Sequence, residues 1–228
     1  DKLFSRHDIP SFNSKDERFL KLMVSLPFLA NKRAEFSFGI GKLEDNYFQS
    51  NVIDFEKDRS DQSMYRLLGG AIGFYGSTLN ARQYATKGYY EKLIAQIFNG
   101  KEKFIPGNSP ETATWKERQS WLQISYMKEA YHTMSPKFTL GWMAEAVYSS
   151  KNFSENYTAT MMQACDFSPT PHSELMYNEA FRANQYIAAG IKPLYVLNDM
   201  FQVRTEFYGF VPIFPIKKNS FNKAYYGK

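Results

Sequence analysis

The sequence predicts an all-β fold, a stretch of antiparallel transmembrane β-barrel, and three observations carry that expectation. Aromatic residues make up 17% of the 228 residues, with 20 Phe, 16 Tyr and 3 Trp, yet the mean hydropathy is −0.48. A chain both rich in rings and polar on average suits strands that show apolar side chains to lipid and polar ones to a wet interior. The second observation is period-two alternation sustained over long segments. The third is an unequal set of connections, in which tight turns alternate with long polar loops.

Taken in order, the early strand candidates are Phe19 to Leu26, Glu35 to Lys42, Met64 to Leu79, Tyr89 to Lys103 and Ser120 to His132. The last fits two periods. Leu122, Ile124 and Tyr126 alternate, but Trp121, Ile124, Met127, Tyr131 and Met134 would also line one face of a helix. Strand neighbours on both sides favour a strand. Alternation is clearest from Phe138 to Ser149, where Phe138, Leu140, Trp142, Ala144, Ala146 and Tyr148 make one face. Thr139, Gly141, Met143, Glu145, Val147 and Ser149 make the other. A further strand runs from Tyr186 to Leu197, with an irregularity expected at Pro193, which has no N–H to give to a ladder. In the final candidate, Phe201 to Phe214, Phe201, Val203, Thr205, Phe207, Val211 and Ile213 oppose Gln202, Arg204, Glu206 and Tyr208. About eight strands are therefore visible.

Turn chemistry marks Asn99-Gly100-Lys101 and Met134-Ser135-Pro136-Lys137 as short connections. Glu44 to Ser63, Pro106 to Gln119 and Ser150 to Ala183 read as long polar loops. No linker, repeat or low-complexity tract divides residues 1–228, so they form one unit. The longest stretch without Asp, Glu, Lys or Arg is Leu67 to Ala81, 15 residues with four glycines, whereas a membrane-spanning helix needs roughly 18 or more apolar residues. The net charge is +5, and Lys and Arg alternate with Asp and Glu along the chain without a basic run. Nucleic acid is not an expected partner.

Motifs for chemistry are few. Gly73-Phe74-Tyr75-Gly76-Ser77 places its serine directly after the second glycine and so is no nucleophile elbow. Gly69, Gly70, Gly73 and Gly76 lack the Gly-Lys-Ser/Thr of a phosphate loop, and they read as thinning of a wall where a neighbouring side chain crosses. Cys165 is the only cysteine and reads as a small hydrophobe in a loop. His7, His132 and His172 stand far apart, and Glu44-Asp45 reads as a solvated turn. No catalytic residue, metal site or cofactor is expected.

Two short constellations stand out: Ala85-Thr86-Lys87-Gly88, which opens a strand, and Phe181-Arg182-Ala183-Asn184, which ends a long loop. Each alone could be an ordinary turn or an exposed arginine. In order, and followed by Val203-Arg204-Thr205-Glu206-Phe207-Tyr208, they resemble the surface-antigen barrels of the outer-membrane assembly superfamily. In those barrels a Pro-Thr-x-Gly turn, a Val-Arg-Gly-Phe loop motif and an acidic lumen-facing position recur. Here Ala replaces the Pro, the arginine carries the loop match, and Glu206 takes the acidic place. The runs Asn156-Tyr157-Thr158-Ala159-Thr160, Phe167-Ser168-Pro169-Thr170-Pro171 and Asn178 to Asn184 are similar to the C-terminal barrel of patatin-like phospholipases of Bacteroidetes-type bacteria. The similarity spans roughly Phe19 to Ile216. It implies a barrel of sixteen strands in the bacterial outer membrane, of which this chain is an incomplete part. The ending Tyr226-Gly227-Lys228, where such barrels usually close on an aromatic residue, agrees with that expectation. It also implies outer-membrane lipid as partner, together with an N-terminal patatin domain in the same parent chain.

The expected function is non-enzymatic: anchoring or exporting that lipase domain. One alternative is a free-standing assembly or translocation factor, and a second is a soluble aromatic-rich β-sandwich that binds glycans. A lumen guanidinium must find carboxylate or carbonyl partners. We therefore expect the loop from about Asn152 to Ala183 to fold inward, latched by Arg182 on Glu206 or a neighbouring acceptor, with Arg204 competing for Glu206. The turn motif is Thr86, Lys87 and Gly88. Phe138, Leu140, Trp142, Tyr148 and Phe207 are expected to face lipid, so Trp142→Arg should disturb assembly more than Met143→Arg.

Overall fold

The computed structural model describes residues 11–48, 58–107, 114–154, 156–175, 177–198 and 201–217. His7 and the terminal Tyr226-Gly227-Lys228 lie outside them. The strands are β1 (Ser11–Leu29), β2 (Lys32–Phe48), β3 (Asp61–Ser77), β4 (Gly88–Ile105), β5 (Trp115–Ser135), β6 (Phe138–Ser149), β7 (Gln185–Val196), β8 (Gln202–Arg204) and β9 (Phe207–Pro212). From β1 to β8 each pairs antiparallel with its neighbour in chain order, and β9 also pairs with β7. One up-and-down sheet results, all-β as expected. The first and last strands are not paired with each other, so the sheet is open among the described residues. Among the described residues there is one sheet and no second sheet packed on it as in a sandwich.

Because direction alternates, the connections at 30–31, 78–87, 136–137 and 197–201 share one rim, the turn rim. Those at 49–60, 106–114 and 150–184 share the other, the loop rim. The strands run further into the expected loops than the polar sequence suggested: β2 continues through Glu44 and Asp45 to Phe48, and β5 begins at Trp115. The ambiguous segment is strand throughout and lies inside β5, which runs for 21 residues.

Asn99-Gly100-Lys101 is not a turn. Its residues pair with Ser120, Gln119 and Arg118 inside β4. A Cβ on Gly100 would lie 2.8 Å from Leu67 Cδ2 and 3.3 Å from the Trp121 ring, so the glycine makes room for neighbours and does not bend the chain. Similarly, the Phe98 ring crosses Gly69, where a Cβ would meet it at 2.8 Å.

Pro193 interrupts the last ladder. Leu194 faces Arg204 and Ile191 faces Phe207, which sets Pro193 opposite Thr205. Thr205 N donates to Pro193 O at 3.0 Å, but proline has no N–H to return the bond. One strand from Gln202 to Pro212 is thereby split into β8 and β9 without a change of register.

The two faces differ. On one, the exposed or half-buried positions are apolar: Phe36, Phe38 and Ile40 on β2, Leu68, Ile72 and Phe74 on β3, Leu93, Ala95 and Ile97 on β4, and Phe207 and Val211 on β9. Phe138, Leu140, Trp142 and Tyr148 lie on this outward face of β6. The apolar zone does not follow the hydrogen-bonded rows. Val24, Phe36, Ile72, Ala95, Ile124 and Tyr148 form one row, yet Val24 is mid-zone on β1 whereas Tyr148 ends β6 at the loop rim. Such stagger is what strands tilted to a common plane require. The opposite, inner face is covered near the loop rim by residues 150–184.

Candidate functional site: an arginine-held segment on the inner face

Residues 150–184 contain a short helix, α1 (Tyr157–Gln163). Seven residues are too few for a helix to stand alone in water. Asn156 caps it, with Oδ1 accepting from Ala159 N at 2.9 Å, and Thr160 Oγ1 donates to Asn156 O at 2.8 Å. The cap is tied to the sheet. Asn156 Nδ2 donates to Tyr47 Oη on β2 at 2.6 Å, and Ser154 Oγ meets Tyr65 Oη on β3 at 2.5 Å. Ala159 packs against buried Tyr47 and Phe104. After the helix, Asp166 and Arg182 form an antiparallel bridge, with Phe167 N donating to Phe181 O and Ala183 N to Cys165 O, both at 3.0 Å. Phe167 then enters a core with Met143, Val147, Tyr186 and Ala188 on β6 and β7. Met143 is therefore a packed inward residue and not the tolerant position that simple alternation implied.

Arg182 closes the far end of α1. Its Nη1 donates to the carbonyls of Met162 at 3.0 Å and of Met161 and Ala164 at 3.3 Å. Its Nη2 lies 3.4 Å from Asp166 Oδ2, and the guanidinium sits 4.6 Å above the Tyr177 ring. The last carbonyls of a helix have no partner within it and carry partial negative charge, so a cation there satisfies both needs. Arg182 thus meets acceptors within its own loop. Glu206 is not among them.

Glu206 is engaged elsewhere. Arg204 Nε donates to Glu206 Oε1 at 2.6 Å, and Tyr208 Oη to Glu206 Oε2 at 2.8 Å. Arg204 Nη2 donates to Tyr131 Oη at 2.5 Å, and Nη1 to Ala85 O at 2.8 Å. Close by, Lys192 Nζ donates to Glu129 Oε1 at 2.7 Å, and Tyr131 donates to the same carboxylate. The expected trio therefore separates into two sites: Arg182 holds the inner segment, while Arg204 and Glu206 hold the turn before β4. In that turn Asn80 Oδ1 accepts from Thr86 N at 2.9 Å and Lys87 N at 3.0 Å. Gly88 has φ +91°, and a Cβ there would fall 2.1 Å from Thr78 O, so only glycine fits.

No protein-family model matches this chain, and no curated protein does. The site must be read from its own chemistry.

Lys151 is a functional candidate the sequence did not mark. Its ammonium lies 4.7 Å from the Tyr65 ring and 5.1 Å from that of Trp121, and it bonds Gln163 Oε1. Burial pushes the amine down to about 8, against the pull of Glu102, Cys165 and Asp45. Burial likewise pushes the Cys165 thiol up to about 11, opposed by Lys151 and Arg182. A protonated thiol in an apolar niche is a poor nucleophile. Among the described residues no three His, Cys, Asp or Glu side chains converge as metal ligands. His132 and His172 are exposed. Ser77 ends a strand that leads into a turn, not into the helix an elbow requires, and its Oγ accepts from Leu79 N at 3.4 Å. One available signal was missed: Asn156 followed by Tyr-Thr-Ala-Thr is a helix-cap pattern inside a presumed loop.

Proposed function

We propose that this chain is a segment of a bacterial outer-membrane β-barrel that has no catalysis of its own and anchors an attached patatin-like lipase domain, with export of that domain the more demanding form of the same role. The observation that carries the membrane part is the outward face. Apolar side chains fill its central positions on strand after strand, while Glu129, Glu145 and Lys192 are turned inward. In water so large an uncovered apolar surface would be costly, and in lipid it is the favourable surface. Among the described residues the two outer edges of the sheet have no partner strand, and in lipid this reading requires further strands to complete the wall.

The folded segment 150–184 favours anchoring over passage of cargo, since it occupies the inner face at the loop rim. The lipase partner rests on the sequence resemblance alone. Fractionation of cells that produce the parent protein tests the proposal. The protein should stay with the membrane after an alkaline wash, and deletion of this chain should release the remainder to the soluble fraction. Unchanged membrane retention after deletion would refute an anchoring role.

A further inference from the structure

Pairing register sets five cations side by side at the loop rim. Arg18 on β1 lies opposite Lys42 on β2, Lys42 opposite Arg66 on β3, Arg66 opposite Lys101 on β4, and Lys101 opposite Arg118 on β5. All five occupy the outward face, directly above the apolar zone on β1–β3. On β4 and β5 one further polar row, Asn99 with Ser120, intervenes. Like charges directly opposite, with Cβ atoms roughly 5 Å apart, destabilise a sheet. Two members are relieved locally: Arg18 by Asp16 at 2.7 Å, and Lys42 by Glu44 at 2.6 Å. Arg66, Lys101 and Arg118 have no carboxylate at ion-pair distance among the described residues, and the next outward row adds Lys103 opposite Lys116. Five exposed or half-buried cations on three adjacent strands therefore have no ion-pair partner among the described residues.

We infer that this ladder is a docking surface for the phosphate of an anionic membrane lipid in the leaflet at the loop rim. The inference rests on the membrane reading above and goes beyond it by naming a lipid class and a leaflet. The zone immediately below on the same face is apolar, so a ligand spanning both has an acyl part and an acidic head. A phosphate can bridge two neighbouring cations through charge-assisted hydrogen bonds and so remove the repulsion along the row. Nucleic acid offers the phosphate but nothing to cover the apolar positions beneath.

The test titrates spin-labelled phosphatidylglycerol against the full chain reconstituted in phosphatidylcholine nanodiscs. The variant carries Arg66→Gln, Lys101→Gln and Arg118→Gln, and the control carries Lys128→Gln, at an outward position nearer the turn rim. Each cation near a lipid surface contributes about a factor of five. The triple variant should therefore bind the anionic lipid roughly a hundredfold more weakly, while the control matches wild type. Equal binding by all three proteins overturns the ladder. Full competition by inorganic phosphate at matched concentration, or displacement of the lipid by an oligonucleotide, overturns the lipid assignment. Failure of the wild type to insert into neutral nanodiscs would instead remove the membrane reading itself, and the ladder with it.

Discussion

Arg204 on β8 donates from Nη1 to the main-chain carbonyl of Ala85 at 2.8 Å, joining positions 119 residues apart. The same guanidinium holds Glu206 and Tyr131, so one side chain links the turn before β4 to β5 and to the last strand of the sheet. Its side chain is only 13% exposed, and that of Glu206 19%.

Removing Arg204 should therefore strand Glu206. We expect Arg204→Ala to cost about 3 kcal/mol, the low end for breaking a buried pair. Arg204→Lys should recover only part of it, because an ammonium lacks the planar fork that reaches three acceptors. Thermal unfolding of the reconstituted chain measures both. A loss below about 0.5 kcal/mol for Arg204→Ala would mark an ordinary surface arginine.

Arg182 should behave as the clasp of its own loop. Arg182→Ala removes the cation from the end of α1, so amides of Tyr157–Gln163 should exchange with solvent faster while those of β6 do not. A double-mutant cycle separates its partners. Arg182 with Asp166 should be non-additive, whereas Arg182 with Glu206 should add within about 0.5 kcal/mol. Strong coupling to Glu206 would restore the direct latch that the geometry does not contain.

How much of this was legible in the sequence follows from what alternation can encode. Period-two patterns located the long strands other than β5, which its neighbours decided, and Pro193 announced its own irregularity because a missing N–H is a local property. Gly100 misled because glycine makes room as often as it turns a chain, and only the neighbours Leu67 and Trp121 decide between them. Arg204 as a competitor for Glu206 could be named from their shared face, and the pair forms, whereas the pairing of Arg182 with Asp166 depends on how residues 150–184 fold. The basic ladder was invisible for the same reason. Lys and Arg look scattered along the chain, and it is register between strands that stacks them.

Lys151 makes the inner segment respond to pH. Its folded amine releases its proton near 8, whereas in the unfolded chain it does so at its usual 10.5. The unfolded chain then holds more protons above pH 8, so stability rises with pH there. Cys165 acts in the opposite sense. Its thiol normally titrates at 9.0 but is held up to about 11, so it lowers stability above pH 9. Protection of α1 should accordingly increase from pH 8 to 9, by up to about 1 kcal/mol, and then level off. Lys151→Met should abolish the increase. A wild-type increase that persists in Lys151→Met would assign it to another group.

The two faces of β4 should tolerate charge differently. Ile97 points outward and is 65% exposed, while its neighbour Gln96 points inward. Arg at a lipid-facing midplane position costs about 2–4 kcal/mol. Ile97→Arg should thus reduce the heat-resistant folded fraction in vesicles, and Gln96→Arg should leave most of it. Equal tolerance would mean that Ile97 does not meet lipid.

The most direct test of the membrane assignment is a nitroxide scan along β4, from Leu93 to Phe98, in a Cys165→Ser background reconstituted in lipid. Relaxation by oxygen, which concentrates in hydrocarbon, should be high at Leu93, Ala95 and Ile97 and low at Ile94, Gln96 and Phe98. A water-soluble nickel complex should reach none of the outward three. Access of the nickel complex to Ala95 and Ile97, with no two-residue rhythm in the oxygen signal, would show that this face lies in water and would contradict the barrel.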